Sequence, residues 1–524
     1  MARKFLVRTF GCQMNEHDSE RLAGLLAADG MEATEELEQA DVVVLNTCCI
    51  RENADNKLYG HLGHLKALQD RRPGLQIAVG GCLAQKDKEL IQARAGHVDA
   101  VFGTHNLDQV VQLLHRARHE GPVMEILDHA PLDEGAFTSA LPVRRNLAHA
   151  AWVTIQVGCD NNCAFCIVPA VRGVEASRPF GQVLAEVEAL AEAGTAEVTL
   201  LGQNVNSYGR DLTTALRASV LAGTAAWVAS AHTGGSPAAT AHVVRLPADA
   251  AYRVGRPWTA EVQEARPRAR ALFADLLRAV GSVPGISRVR FTSPHPKDLR
   301  PDVMAAMAET PAVCEHLHLP LQAGSDRTLA AMRRGYTAQR YLDKLAAARA
   351  VIADLAVTTD IIVGFPGESE ADFQATLEVV AAAEYDGAYT FVFSPRPGTR
   401  AAEMGDQFVA DDVVKERFAR LEVVVNRSAL AKHRARVGLI EEIMIEGPSK
   451  RDPSRLTGRT RQHKLVHFPR PDPDDPAGAA LAPGALARVR ITEAAPHHLV
   501  GELVELLHVP RPSSRRTRIP VIAG

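Results

Sequence analysis

Gly158-Cys159-Asp160-Asn161-Asn162-Cys163-Ala164-Phe165-Cys166 is the stretch that decides how this chain is read. Its three cysteines have C-x3-C-x2-C spacing and follow directly on Val153 to Val157, an apolar run that reads as a strand. A loop at a strand end can set three thiolates on three irons of a cubane cluster, whose full ligation takes four cysteines. One iron is then left open. An open iron is what S-adenosylmethionine needs in order to chelate through its amino and carboxylate groups. An electron from the cluster then breaks a carbon–sulfur bond and yields a deoxyadenosyl radical. In such sites the cofactor carries the chemistry, and the protein holds and orients it. A structural zinc would instead want a fourth ligand, commonly a second C-x2-C or a histidine pair, and no second cysteine pair follows. Phe165 is placed to shield one side of the cluster.

Toward the C-terminus, further strands are expected at Glu197 to Leu201, Arg288 to Thr292, His316 to Pro320, Thr358 to Val363 and Ala388 to Phe393, mostly separated by helical stretches. Six strands with crossover helices imply a partial or full α/β barrel, or else a second doubly wound sheet. Ligands sit at the carboxyl face of such barrels. Gln203, Ser293, Gln322 and Glu368 lie at or near strand ends and are candidate cofactor contacts, although each would serve equally as a loop cap. Gly364, with Gly367, shapes a turn that admits adenine. Arg172 and Arg178 match phosphate or the cofactor carboxylate geometrically, or face solvent. The alanine-rich stretch at about 213–260 interrupts the alternation. Pro237, Pro247, Pro257 and Gly234-Gly235 argue against one continuous helix there. With Trp227 and Trp258 it reads as a surface insertion or as a substrate-facing lid.

Toward the N-terminus the chain again alternates short apolar runs with helical stretches, which implies an open, mostly parallel sheet. Phe5 to Phe10 reads as a strand and not as a signal peptide. A helix follows from about Asp18 to Asp29, then strands at Asp41 to Asn46 and Gln76 to Gly80. Cys12, Cys48 and Cys82 each come just after one of these strands. The carboxyl ends of parallel strands share one edge, and that edge binds ligands, so the three thiols should converge on a second cluster with an open iron. Gly11, Gly80 and Gly81 let the backbone approach a bulky ligand. Cys49 has a different offset from its strand and is read as non-ligating. Cys314 stands alone and is read as structural. The eight cysteines of this 524-residue chain thus resolve into two sets of three and two bystanders. Two open-iron clusters imply two jobs: one makes a radical, the other binds or donates sulfur. A radical is needed where the target carbon has neither an acidic proton nor a leaving group, as for a C–H on a nucleobase or an aliphatic C–H.

A Pro- and Gly-punctuated linker is expected from Gly121 to Arg145. A helix from about Ala410 to Arg436 leads into short strands with turn signals, the pattern of a small antiparallel β-barrel. Within it Lys450, Arg451, Arg455, Arg459, Arg461, Lys464 and Arg470 stand against Asp452 alone. That net +6, in a chain of net charge -3, reads as an electrostatic footprint for RNA. His463, His467 and Phe468 are candidates for stacking on bases. Arg511, Arg515, Arg516 and Arg518 form a basic tail that attracts phosphate or is simply solvated. The overall charge excludes a uniformly basic nucleic-acid coat. With 46% hydrophobic and 23% charged residues the composition is that of an ordinary soluble protein. No run approaches the ~18 apolar residues of a membrane span, so a cytoplasmic protein with no membrane partner is expected.

These motifs carry a family resemblance. Asn46-Thr47-Cys48 with Ile50-Arg51-Glu52-Asn53-Ala54, the Gly158 to Cys166 loop, Arg172-Gly173-Val174-Glu175-Ala176-Ser177-Arg178-Pro179 and Leu201-Gly202-Gln203-Asn204-Val205-Asn206 are its first segments. Thr292-Ser293-Pro294-His295-Pro296, Leu319-Pro320-Leu321-Gln322-Ala323-Gly324-Ser325 and Asp360 through Glu368 complete it. Over nearly its whole length, apart from the insertion and the tail, the chain resembles the radical-SAM methylthiotransferases. Ile50-Arg51-Glu52 favours the branch acting on isopentenyladenosine in tRNA over relatives that act on a ribosomal protein or on threonylcarbamoyl-adenosine. The resemblance implies an N-terminal methylthiotransferase domain (1–125), a radical-SAM core (145–431), a TRAM-like RNA-binding barrel (434–506) and a tail (507–524). It implies two [4Fe–4S] clusters, the radical one on Cys159, Cys163 and Cys166 and the auxiliary one on Cys12, Cys48 and Cys82. The expected reaction adds CH3–S to C2 of N6-isopentenyladenosine beside the anticodon, with two molecules of S-adenosylmethionine per turnover. Expected partners are a tRNA carrying isopentenyladenosine and an electron donor such as a flavodoxin-type reductant, with the chain acting as a monomer. Threonylcarbamoyl-adenosine in tRNA and a ribosomal protein are the alternative substrates. A non-catalytic iron–sulfur RNA-binding protein is the alternative class.

Overall fold

The computed structural model describes residues 2–49, 52–127, 142–145, 147–221, 270–471, 478 and 480–509. The alanine-rich stretch lies outside these from residue 222 onward, with Trp227 and Trp258. So do Ile50, Arg51 and the basic tail. Its first residues, from Thr213, continue the helix Arg210–Leu221.

Val42–Thr47 is buried along its whole length, as a strand with helices on both faces must be. It sits inside a six-stranded, all-parallel sheet in the order Glu32–Ala33, Lys4–Phe10, Val42–Thr47, Gln76–Gly80, Ala100–Phe102, Val123–Glu125. Val42, Val44 and Phe5 face the helix Gln13–Ala28 through Leu22 and Leu26. Val43, Leu45 and Leu6 face Leu58, Leu62 and Leu65 of Glu52–Arg71 on the opposite side. Helices leaving to opposite faces open a crevice where the strand order reverses, between Lys4–Phe10 and Val42–Thr47. Two differences from the sequence reading bear on this crevice. The first helix starts at Gln13, with Cys12 as its N-cap, and not near Asp18. The expected linker begins as the sixth strand of the sheet, and Arg144 N–H later bonds the Glu20 carbonyl at 2.9 Å.

The central region has six parallel strands in two sheets of three: Ala150–Thr154, Glu197–Leu201 and Arg288–Phe291, then His316–His318, Ala356–Val363 and Gly387–Val392. A parallel bridge between Val289 and Val313 joins them into one arc. Among the described residues the first and last strands do not pair, so the barrel is partial. One apolar cluster, including Val153, Val198, Phe273, Leu317, Ile361 and Phe373, runs between the arc and its helices.

The helix Asp411–Arg434 leads to a closed five-stranded barrel of Ile440–Pro448, Arg455–Thr460, Leu465–Pro469, Leu486–Ala494 and Leu499–His508. Four of its pairings are antiparallel and one, Leu465–Pro469 with Leu499–His508, is parallel. This barrel docks under the amino ends of the core strands. Arg461 pairs with Glu315, Arg436 with Asp354 and Lys464 with Asp386, at 2.7, 2.8 and 2.6 Å. Buried Arg288 and Arg290 donate to the carbonyls of Arg459, Arg461 and Thr460.

That docking corrects the reading of the basic segment. Arg461 and Lys464 hold the barrel to the core, Arg459 pairs with Glu446 and Arg455 with Asp452. Phe468 is fully buried in the barrel core beside Val466. His463 stacks on His316 at 5.0 Å between barrel and core. His467 is half-buried against His498. Phe468 and His463 are therefore spent on packing and are not free to stack on bases. Lys450, Arg451 and Arg470 remain exposed.

Candidate functional site

The Cys159–Cys166 loop leaves the carboxyl edge of the core arc at Gly158. Its φ of +73° and the Val174 carbonyl oxygen, 1.9 Å from where a Cβ would stand, leave room only for glycine. Cys159 N–H bonds the Gly173 carbonyl at 3.2 Å, and Ala164 bonds the backbone of Met332 and of Ala401 at 3.0 and 2.9 Å. The loop is thus pinned from three sides. Burial raises the Cys159 thiol and pushes Cys166 up to about 12. Such thiols ionise when a metal supplies the compensating charge. Among the described residues no three Cys, His, Asp or Glu side chains close on a point fit for a single ion. A cubane, which gives each thiolate its own iron, asks for a wider set than a zinc shell with sulfur at ~2.3 Å.

The three N-terminal thiols gather at the crevice. Cys48 bonds Cys12, and that hydrogen bond, with the charge of Arg172, holds the Cys12 thiol low against the opposing effect of burial. Cys82 is held low by a bond from Cys49 and again by Arg172. Cys49, fully buried among Leu58, Leu62 and Leu83, is pushed well above the usual thiol range by that bond and by burial. Cys12 and Cys82 are thus the thiols held low, and Cys49 is the neighbour held high. Buried Asn46 braces the crevice, donating to the Asn15 carbonyl at 2.8 Å and to Ser19 Oγ at 2.9 Å. A polar residue in an otherwise apolar strand was the signal for it. Cys314 is buried away from both sites, on the Val289 side of the core.

Gly81 is a tight point of the crevice backbone. Its φ is +94°, and a Cβ would lie 2.3 Å from Asn46 Oδ1 and 2.8 Å from the Thr47 carbonyl. Gly81→Ala should cost roughly 1–3 kcal/mol and displace Cys82. The expected outcome is a lower melting temperature and an iron content close to that of a Cys12→Ala chain. Full iron retention would show that the crevice tolerates the shift.

The helix Val168–Arg172 starts two residues after Cys166 and ends at the other crevice. Arg172 is buried there and bonds Asp18 at 2.7 Å. Thr104 Oγ1 donates to the Val171 carbonyl. One turn of chain therefore links the two cysteine sets. Arg178 is also buried, paired with Glu186, which holds Arg145 as well. Neither arginine faces solvent, and both are committed to carboxylates of the protein, contrary to the expected cofactor contact.

The other expected contacts divide. Gln203 keeps both amide atoms buried without a partner among the described residues, as a ligand-facing amide would. Ser293 and Gln322 hold left-handed φ values of +59° and +72°, strain of the kind that sites retain. Glu368 instead accepts from Gly364 N–H at 2.9 Å and from Arg417 at 3.0 Å. A Cβ on Gly364 would meet Val414 at 2.6 Å. The turn therefore packs on the helix Asp411–Arg434 on the side where a Gly364 Cβ would stand. His295 was not singled out from sequence. Burial lowers it to about 2, Nδ1 accepts from Lys297 N–H, and Nε2 is buried without a partner. A neutral ring with its proton on Nε2 is thus ready to donate.

The comparisons agree along the chain. The uncharacterized protein family UPF0004 matches residues 4–103, the Radical SAM superfamily residues 153–380 and the TRAM domain residues 434–504. The chain is 48% identical over 530 residues to "tRNA-2-methylthio-N(6)-dimethylallyladenosine synthase 1" of Mycobacterium marinum, covering 100% of this chain and 90% of that protein. It is 48% identical over 523 residues to the synthase of Nocardia farcinica, covering 99% and 91%. A solved structure of the radical S-adenosylmethionine methyltransferase TsrM from Kitasatospora setae covers 77% of each chain at 12% identity, with a TM-score of 0.44.

Proposed function

The chain belongs to the family of the tRNA-2-methylthio-N(6)-dimethylallyladenosine synthases, and from that premise we propose that Cys159, Cys163 and Cys166 hold one [4Fe–4S] cluster and Cys12, Cys48 and Cys82 a second. The chain is a radical-SAM methylthiotransferase acting on tRNA, with S-adenosylmethionine and [4Fe–4S] clusters as cofactors. The supporting observation is the helix Val168–Arg172, which carries the chain from one thiol set directly to the other.

When bound, the two clusters and S-adenosylmethionine supply one-electron cleavage of a carbon–sulfur bond and a methylated sulfur for transfer to C2 of the isopentenylated adenine. The protein's part is positional. The Ala164 backbone bonds fix the first loop, and Asn46 with Gly81 fixes the second set. Gln203 and Ser293, at neighbouring strand ends, offer polar groups to the cofactor, and His295, two residues after Ser293, offers the proton on its unpartnered Nε2. The terminal barrel sits at the opposite, amino edge of the arc. A tRNA held on its outer face through Lys450, Arg451 and Arg470 has to reach around the core to present a base at the cysteines. A flavodoxin-type reductant as electron source and a monomeric chain complete the reading. Among the described residues no helix is long and apolar enough to cross a membrane.

Nucleoside analysis of tRNA from a strain lacking this chain tests the substrate. The 2-methylthio derivative of isopentenyladenosine should disappear and the unmodified isopentenyl nucleoside should accumulate. An unchanged nucleoside profile would reject the assignment.

A further inference from the structure

Arg334 is buried, 5% exposed, on the loop after the helix Asp326–Ala331. Its guanidinium donates from Nη1 to Cys163 Sγ at 3.2 Å, from Nε to Tyr336 Oη at 3.1 Å and from Nη2 to the Pro320 carbonyl at 3.4 Å. It also lies 5.5 Å from the centre of the Tyr336 ring. Among the described residues it forms no ion pair with a carboxylate, unlike Arg172, Arg178, Arg288, Arg290 and Arg417, which all do. A buried guanidinium without an anion is costly. The groups beside it able to carry negative charge are the Tyr336 phenol at 3.1 Å and the Cys163 sulfur at 3.2 Å, and of these the thiol is the more acidic.

The backbone aims Arg334 at this sulfur. Arg333 and Gly335, on either side of it, have φ values of +57° and +72°. A left-handed non-glycine residue is a strained choice. The preceding residue, Met332, gives its carbonyl to Ala164, so loop and cysteines are fastened together. Three donors spent on a sulfur, a phenol and a carbonyl use the planar fork of arginine, which lysine lacks.

The geometry points to Arg334 as the residue that sets the reduction potential of the cluster on Cys159, Cys163 and Cys166, by a hydrogen bond and a fixed positive charge at the Cys163 sulfur. Hydrogen bonds to the sulfurs and the local charge are what tune such clusters. Adding one electron makes the cluster more negative, so a neighbouring cation favours the reduced form and raises the midpoint. Arg334 is a positioning residue: it acts through Cys163. The inference rests on Cys163 being an iron ligand.

The test uses full-length, anaerobically reconstituted protein in a Cys12→Ala background, so that one cluster alone is titrated by an EPR-monitored reduction with Ti(III) citrate. The parent should hold about four irons. Arg334→Gln should keep them and shift the reduction equilibrium at least tenfold toward the oxidised form, a midpoint lower by about 59 mV for one electron. Arg334→Lys keeps the charge and loses the fork, and should fall between the two. If the glutamine variant does not fold, the lysine variant decides: a lowered midpoint supports the inference. Midpoints equal to the parent's in every folded variant would overturn it. A parent without iron would overturn the ligand assignment on which it rests, and the two failures differ because an unchanged midpoint can be read only from a loaded cluster.

Discussion

Cys163→Ala is expected to lower the iron content of anaerobic protein from about eight to about four per chain, and to abolish methylthiolation while leaving tRNA affinity intact. The argument is one of separation. Cys163 is half-buried and not itself part of the apolar cluster between arc and helices, which its neighbours Ala164 and Phe165 join, so its loss should leave the fold and the distant barrel alone. Its removal strips one ligand from a set of three and leaves Arg334 facing no sulfur. Cys12→Ala should give the same iron count by emptying the other crevice, and the double variant should hold almost none. Cys49→Ala is the control. Cys49 packs among Leu58, Leu62 and Leu83 and its offset from the strand differs from those of Cys12 and Cys82, so iron and product should both survive its loss. Iron and sulfide assays with nucleoside analysis check all four variants. A Cys49→Ala chain that lost four irons while Cys48→Ala kept them would exchange the roles of these neighbours.

The cysteine sets were legible because parallel strands obey a rule about their ends. A run such as Val42 to Leu45 marks a buried strand, and whatever follows it arrives at the ligand-binding edge. Two of the misread residues were legible too. In Leu465–Pro469 the alternation buries Val466 and Phe468 together, so period two alone puts Phe468 inside. The first helix starts at Gln13, directly after Cys12, because the polar residues Asn15 and Ser19 bond Asn46 across the crevice and leave no loop between. Other residues had no local signal. Arg461 and Lys464 read as RNA-facing charge, and only contacts with Glu315 and Asp386, far away in sequence, show that they dock the barrel. Glu368 and Gly364 sit at a strand end, and nothing local shows that the helix they pack against begins at Asp411. Net charge counts residues and is blind to partners, and so it overstated what this barrel offers to RNA.

Asp386→Ala is expected to destabilise the chain by roughly 3–5 kcal/mol, the cost of leaving one member of a buried ion pair without its partner. The Lys464 ammonium is 4% exposed and lies 2.6 Å from an Asp386 carboxylate that is itself 10% exposed. The other oxygen of Asp386 accepts from Val357 N–H at 2.8 Å, so the same substitution frees a backbone donor at the start of a core strand. Because the pair spans barrel and core, the loss should appear as a separate, earlier melting step for the barrel and as proteolysis near the end of the helix Asp411–Arg434. Asp386→Ala with Lys464→Met removes both charges and should recover most of the loss, since an apolar pair of similar volume replaces a buried ion pair at little net cost. Exposed residues should behave in the opposite way. Lys450→Glu with Arg451→Glu leaves every docking contact in place, so melting should stay within ~0.5 kcal/mol of the parent while tRNA affinity falls and loses part of its salt dependence. If Asp386→Ala weakened tRNA binding with no change in melting, and the exposed pair did the reverse, the basic segment would be an RNA footprint after all, and the docking role assigned to Lys464 would be wrong.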